Sequence, residues 1–253
     1  MITRKPFVAG NWKMNLERKT ALGLALSVRD SVGRRDDVDV AVFPPYVYLD
    51  EIARALAGSM VKTGAQNCSD ENSGAFTGEI SPAMLVDVGA TYVLIGHSER
   101  RHVYGEGDEL IGRKVRLALE HGLNPILCVG ETLEERQAKR TEHVVGAQLA
   151  AGLAGVDGRA LQARVTVAYE PVWAIGTGLN ATPAQAGLVH TYLRGVVAGL
   201  YNEAVADRMR ILYGGSVKPD NVRALMAVPG VDGVLVGGAS LKPESFLPLL
   251  EFR

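Results

Sequence analysis

Short apolar runs alternate with longer, partly polar stretches along the chain. The runs are Phe7–Ala9, Val38–Phe43, Val61–Ala65, Tyr92–Ile95, Pro125–Val129, Val165–Tyr169, Arg210–Tyr213 and Gly233–Val236. Most are continuous in Val, Ile, Leu and Ala, not alternating with polar residues. That pattern predicts strands covered on both faces, and hence a parallel sheet. The stretches Leu16–Val32, Tyr46–Ala57, Asp108–His121, Glu131–Lys139 and Thr182–Val205 are rich in Ala and Leu or amphipathic, and they predict helices. Thr182-Pro183-Ala184-Gln185 offers an N-cap, a proline at the first helical position and a glutamine three residues after the cap. Ser81-Pro82 repeats the signal more weakly, and Gly122 closes a helix before Pro125. Strand–helix alternation eight times over predicts an α/β fold, a (β/α)8 barrel of eight parallel strands with surrounding helices; an open doubly wound sheet is the alternative. The Ala/Gly-rich segment Gly146–Ala163 could pass for a linker, but Leu149, Leu153 and Leu161 mark it as packed helix and loop. Residues 1–253 therefore read as a single barrel domain.

Composition narrows the picture modestly. A chain of 253 residues has the length such a barrel needs, about 250. A formal net charge of -1 gives no bulk attraction to nucleic acid or to an anionic membrane, so neither is an expected partner. The two cysteines, Cys68 and Cys128, form no CxxC or Cys/His ligand spacing, so no metal site is expected. They read as reduced thiols of a cytoplasmic protein. Residues Met1 to Ala9 do not resemble a signal peptide, and no apolar run approaches the roughly 18 residues of a membrane helix. Without a secretory signal, the sequons at Asn67 and Asn180 are discounted.

In a parallel barrel the site is built where strands end. After the first run comes Gly10-Asn11-Trp12-Lys13, after the third Gln66-Asn67, after the fourth Gly96-His97-Ser98-Glu99. The fifth is followed by Gly130-Glu131, the sixth by Glu170-Pro171, the seventh by Gly214-Gly215-Ser216 and the eighth by Gly237-Gly238. Glycine pairs after strands seven and eight suit a phosphate held by backbone N–H groups, although tight turns would read the same way. Glu170, fixed in extended backbone by Pro171, is a candidate general base; an apolar setting would raise its pKa, and a salt-bridged rim glutamate is the plainer reading. His97, at the start of a possible helix at Ser98, is expected to stay neutral and donate a hydrogen bond to a carbonyl oxygen; a capping histidine would look the same. Lys13 could neutralise a phosphate or oxyanion, or form a Schiff base, or be a solvated lysine; Asn11 could hold Lys13 or a substrate oxygen. Cys128 reads as packing more readily than as a nucleophile.

The segment Val172 to Thr177, followed by Gly178, reads as a lid or as an ordinary loop with a packed Trp173. Gly176-Thr177-Gly178-Leu179-Asn180-Ala181 matches a dinucleotide fingerprint. It is rejected because six residues separate it from the strand it should follow directly.

Several long motifs, in order, then resemble the triosephosphate isomerase family along the whole chain. They are Gly10 to Asn15, Gly96 to Arg101, Ala168 to Gly178, Tyr213 to Ser216 and Gly237-Gly238. The resemblance implies a TIM barrel that interconverts dihydroxyacetone phosphate and D-glyceraldehyde 3-phosphate through an enediolate, in glycolysis and gluconeogenesis, with no cofactor. It implies Glu170 as the base, His97 as the group that polarises the carbonyl, Lys13 and Asn11 as electrostatic partners and Glu99 as support. It assigns Gly176, Ser216, Gly237 and Gly238 to the phosphate, along with Asn11 and Lys13 to the substrate. It further implies a homodimer whose loop Gln66 to Glu79 reaches a partner's site. Two other readings stand beside it: another phosphate-binding barrel enzyme, such as a Schiff-base aldolase, and a barrel kept only as a binding scaffold.

Overall fold

The computed structural model describes residues 4–175 and 179–252. Its eight strands are β1 (Phe7–Asn11), β2 (Asp39–Phe43), β3 (Val61–Ala65), β4 (Tyr92–Ile95), β5 (Asn124–Val129), β6 (Thr166–Tyr169), β7 (Arg210–Tyr213) and β8 (Gly233–Val236). They pair in parallel, in sequence order, and β8 closes on β1 through Phe7–Gly233 and Val8–Val234. The architecture expected from the sequence is therefore present, and the open sheet is excluded.

The continuous apolar runs follow from the two faces of this wall. Phe7, Ala9, Phe43, Leu94, Ile126 and Leu212 fill the barrel interior. Their neighbours Val8, Val42, Val93, Leu127 and Ile211 pack outward against the helices. Successive strand side chains point to opposite faces, so a strand buried on both sides carries no polar alternation. Close packing fixes some glycines. A Cβ at Gly64 would meet the Phe43 ring at 2.2 Å, and one at Gly233 would lie 2.0 Å from the Phe7 carbonyl oxygen, where the barrel closes.

Several predicted boundaries shift, each for a local reason. The first strand runs to Asn11, because Asn11 still pairs with Phe43 and the Trp12 N–H donates to the Phe43 carbonyl at 3.1 Å. Gly10 and Asn11 are thus strand residues. The first helix starts only at Arg18, since Lys13 (φ 51) and Leu16 (φ 72) turn the backbone through the left-handed region first. The predicted helix Thr182–Val205 is two: Pro183–Leu200, opened by a Thr182–Gln185 capping box, and Glu203–Arg208, opened by the Asn202 side chain. The predicted helix Glu131–Lys139 shrinks to Leu133–Gln137 behind a Thr132–Glu135 capping box, leaving Glu131 outside. The segment 146–163 falls in helices Thr141–Gly152 and Gly158–Arg164 and the short turn between them, where Leu153 and Val156 are buried, as packed helix and loop. Among the described residues no helix is long and apolar enough to cross a membrane.

Candidate active site

A cavity of about 530 Å³ opens where the strands end, lined among others by Asn11, Lys13, His97, Glu170, Ser216 and Gly237. Gly214, Gly215 and Gly238 line it too. Residues separated by more than two hundred positions in sequence share one rim, because every parallel strand delivers its C-terminal end to the same side.

At its centre His97 Nε2 lies 3.0 Å from Glu170 Oε1. Both side chains are buried. The β4 strand ends at Ile95, Gly96 turns in the left-handed region (φ 73), and His97 caps a short helix, Ser98–His102. The His97 Nδ1 accepts the Glu99 backbone N–H at 3.2 Å, which leaves the ring proton on Nε2, facing Glu170. The second carboxylate oxygen of Glu170 accepts the Ser98 backbone N–H at 2.8 Å.

Each member of this pair shifts the other. Burial on its own would lower His97, but the charge and hydrogen bond of Glu170 outweigh it and hold the imidazole above its ordinary value. Burial would raise Glu170, but His97, with help from the Ser98 N–H and Lys13, holds the carboxyl below the ordinary range. The sequence expectation of a raised Glu170 is thus not met. It treated each residue as alone in an apolar setting, whereas a partner at 3.0 Å dominates. The helix behind His97 spans only five residues, so its dipole is weak beside that carboxylate.

Lys13 projects from the turn after β1. Its left-handed backbone is unusual for a residue with a side chain, and it is held from both sides. The Asn11 side-chain oxygen accepts the Lys13 N–H at 3.0 Å, and Gln66 Nε2 donates to the Lys13 and Phe43 carbonyls, both at 2.8 Å. The Lys13 ammonium sits 2.6 Å from Glu99 Oε1, at the open side of the rim. The glycine at 237 leaves room for the lysine stem, since a Cβ there would be 3.3 Å from Lys13 Cε.

The glycine pairs differ in what demands them. A Cβ at Gly214 would meet Glu170 Cγ at 2.9 Å, and one at Gly215 would meet the Tyr213 hydroxyl at 2.3 Å, so packing alone requires both. At Gly238 nothing lies within 4 Å of that position. Packing does not ask for glycine there; close approach of a ligand would.

Two residues carry more of the site than the sequence reading gave them. Gln66, read as a strand-end amide and as the start of the dimer loop, is also the clamp on Lys13. Glu131, fully buried, accepts from the Tyr169 hydroxyl at 3.1 Å and from the Trp173 indole at 3.0 Å, and it pairs with Arg136 at 3.1 Å. Arg136 also stacks on the Trp173 ring at 4.6 Å. The first part of the predicted lid, Val172–Ala174, is therefore a single tight turn anchored to Glu131, just beyond β5. Its signal was present in the sequence: the Thr132–Glu135 capping box starts the helix after Glu131 and frees it for other partners. Gly176 and Thr177, assigned to phosphate and lid, lie outside the described residues. Cys128 is buried inside the barrel, and burial pushes its thiol well above the ordinary range, as a packing residue would show.

A buried imidazole and carboxylate in contact, a lysine at the rim and a glycine-lined far wall define a barrel enzyme of proton transfer. The relatives narrow that class. A family model described as "Triosephosphate isomerase" matches residues 6–253. The triosephosphate isomerase of Carboxydothermus hydrogenoformans is 52% identical over 98% of this chain and 98% of its own, and that of Roseiflexus sp. is 52% identical over 98% of each. The triosephosphate isomerase of Citrifermentans bemidjiense is 50% identical over 98% of this chain and 99% of its own. The chain belongs to the triosephosphate isomerase family and is an isomerase.

Proposed function

We propose that residues 1–253 act as one barrel domain that interconverts dihydroxyacetone phosphate and D-glyceraldehyde 3-phosphate, in glycolysis and gluconeogenesis. The observation that carries the reading is the 3.0 Å contact between His97 Nε2 and Glu170 Oε1, facing a cavity that Gly214, Gly215, Gly237 and Gly238 also line. Glu170 removes the proton from the carbon beside the carbonyl and returns it to the neighbouring carbon. The His97 Nε2–H donates to the carbonyl oxygen and then serves the enediolate oxygens in turn. A substrate oxygen at Nε2 displaces the Glu170 carboxylate. The influence that raises His97 then weakens, while the Glu99 N–H at Nδ1 continues to favour the neutral ring. The Glu170 carboxylate, freed from His97, becomes a stronger base.

Lys13 and Asn11 place positive charge and a polar amide beside the developing enediolate, where a preorganised donor is worth most. Glu99 holds the Lys13 ammonium until substrate arrives. Ser216, Gly237 and Gly238 offer backbone to the phosphate, and the reading extends to Gly176. Excluding water from this cavity suppresses loss of phosphate from the enediolate.

The test is a coupled assay with D-glyceraldehyde 3-phosphate on wild type beside Glu170→Gln. Wild-type turnover with a loss of about 10²–10⁴-fold in the variant supports both the reaction and the base. An inactive wild type overturns the substrate.

The reading includes a homodimer. Met14, Val103 and Tyr104 are exposed at 93%, 72% and 67%, large apolar groups for open water. Met14 and Tyr104 flank a second cavity of about 150 Å³ that shares Asn11, Lys13 and His97 with the main one. The loop Gln66 to Glu79 of a second copy, led by the exposed Phe76, would fill it and dry the outer side of Lys13. Sedimentation should return twice the 27.0 kDa chain mass; a fully active monomer would remove the claim.

A further inference from the structure

We propose that Arg101 is a positioning residue for the isomerisation, setting the distance between His97 and Glu170 without touching substrate; the proposal rests on the proton-transfer reading above. Its side chain is 7% exposed and carries a guanidinium with every edge used. Nε donates to the Gly96 carbonyl at 2.8 Å, Nη2 to the Cys128 carbonyl at 3.1 Å, and Nη1 pairs with the Asp108 carboxylate.

The two carbonyls matter because of where they stand. Gly96 is the left-handed turn residue that delivers His97 from the end of β4. Cys128 is next to last in β5. The following residue, Val129, accepts the Glu170 backbone N–H at 2.8 Å. Arg101 therefore ties the His97 turn to β5, and β5 ties directly to the backbone of Glu170. At that end β4 and β5 no longer pair with each other: their register stops at Ile95 with Leu127. The planar fork replaces the missing ladder bonds with two fixed donors at the height of the catalytic pair. A Cβ on residue 96 would stand 3.1 Å from Arg101 Nη2, so turn and fork are packed as one unit.

Lysine cannot do the same, because a point charge does not hold two carbonyls and a carboxylate in one plane. The spacing of Nε2 and Oε1 would then drift, and a displacement near 1 Å at reacting groups can cost about 10²-fold.

The experiment measures kcat and KM separately for wild type, Arg101→Lys and Asp108→Asn, with unfolding curves for each. Asp108→Asn removes the charge partner but leaves both carbonyl bonds. The proposal expects Arg101→Lys to lose roughly 30- to 100-fold in kcat with KM within about three-fold, and Asp108→Asn to lose less than about five-fold. It also expects the acid limb of kcat/KM in Arg101→Lys to move up in pH, as the loosened His97 contact no longer holds Glu170 down. Equal losses in the two variants, or a loss that follows only the folded fraction, would overturn the positioning role. A wild type without isomerase activity would instead overturn the function reading, so the two failures are separate.

Discussion

The two ends of the barrel carry charged side chains of similar kinds and treat them oppositely. At the end where the strands begin, Asp232 accepts Arg4 at 2.6 Å, Arg194 at 2.7 Å and the Ile211 N–H at 2.9 Å. Asp39 pairs there with Lys5 at 2.7 Å and Arg210 at 2.5 Å. Those carboxylates are surrounded by fixed donors and do not line the cavity that holds His97 and Glu170. At the other end Glu170 holds one backbone N–H and one imidazole, Lys13 sits on strained backbone, and all of them face an open cavity. Satisfied charge fastens the strands; partly satisfied charge remains free to act on a substrate. Changes at the two ends should therefore separate stability from turnover.

The largest expected effect is at the open end. Glu170→Gln should cost the roughly 10²–10⁴-fold of a lost general base. Its unfolding midpoint should stay near wild type, since the amide oxygen can still accept the Ser98 N–H. A strongly destabilised variant would show that the open end also holds the fold. The mirror experiment is Asp232→Ala. It leaves two guanidinium groups without their carboxylate, and the loss of one partner from a buried pair costs about 3–5 kcal/mol. Activity per folded molecule should not change, which activity and urea unfolding on the same samples would show.

Acid gives a third cut. His190, on helix Pro183–Leu200, is fully buried, with Nδ1 3.1 Å from the Gly230 carbonyl and the ring edge-on to Tyr169. Burial lowers its pKa from 6.5 to about 4. Between those values the unfolded chain binds a proton that the native one refuses, so stability is full above pH 6.5 and falls as pH drops toward 4. The full span is worth about 3 kcal/mol. In His190→Gln the unfolding free energy should depend less on pH between 6.5 and 4; an unchanged slope would assign the acid sensitivity elsewhere. The smallest effect is expected at Asp39, one-third exposed, whose carboxyl Lys5 and Arg210 hold below its ordinary value against the burial that would raise it. It stabilises above the ordinary aspartate pKa, about 3.9, and ceases to as pH falls below that. Asp39→Asn should cost no more than about 1 kcal/mol at neutral pH, read by the same unfolding curves.

The barrel was legible in the chain because two-sided burial leaves apolar runs that need no knowledge of their neighbours. Four of the eight runs, Val61–Ala65, Tyr92–Ile95, Arg210–Tyr213 and Gly233–Val236, coincide at both boundaries with the strands observed. Phe7–Ala9 was too short because Gly10 and Asn11 look like a turn; their place in β1 depends on Phe43 across the sheet. The helix Glu131–Lys139 was too long for a different reason. Glu131 fits a helical first turn by type, and only its burial beside Tyr169 and Trp173 gives it another task.

For the site, sequence supplied the residue types and the strand ends they follow. His97, Glu170, Lys13 and Asn11 were all named from that placement, and they line one cavity. Their ionisation was not available from it. Local rules made His97 neutral through a helix end and Glu170 weakly acidic through an apolar setting. The contact of 3.0 Å reverses the direction for Glu170 and raises His97. Gln66 and Arg101 escaped notice as working parts because an amide and an arginine beside a strand end have no pattern of their own. What each does is fixed by which carbonyls it reaches, and those belong to other strands or to the turns that follow strands.

The sequence by itself thus determined the strand–helix alternation, the class of fold and the chemical groups at the rim, since hydrophobic period and strand-end composition are local properties of the chain. Only the tertiary structure decided which groups touch, how far each is buried and which charge dominates. Coulomb and hydrogen-bond energies depend on distances of a few ångströms between residues that lie tens to hundreds of positions apart, and closure of the barrel is what sets those distances.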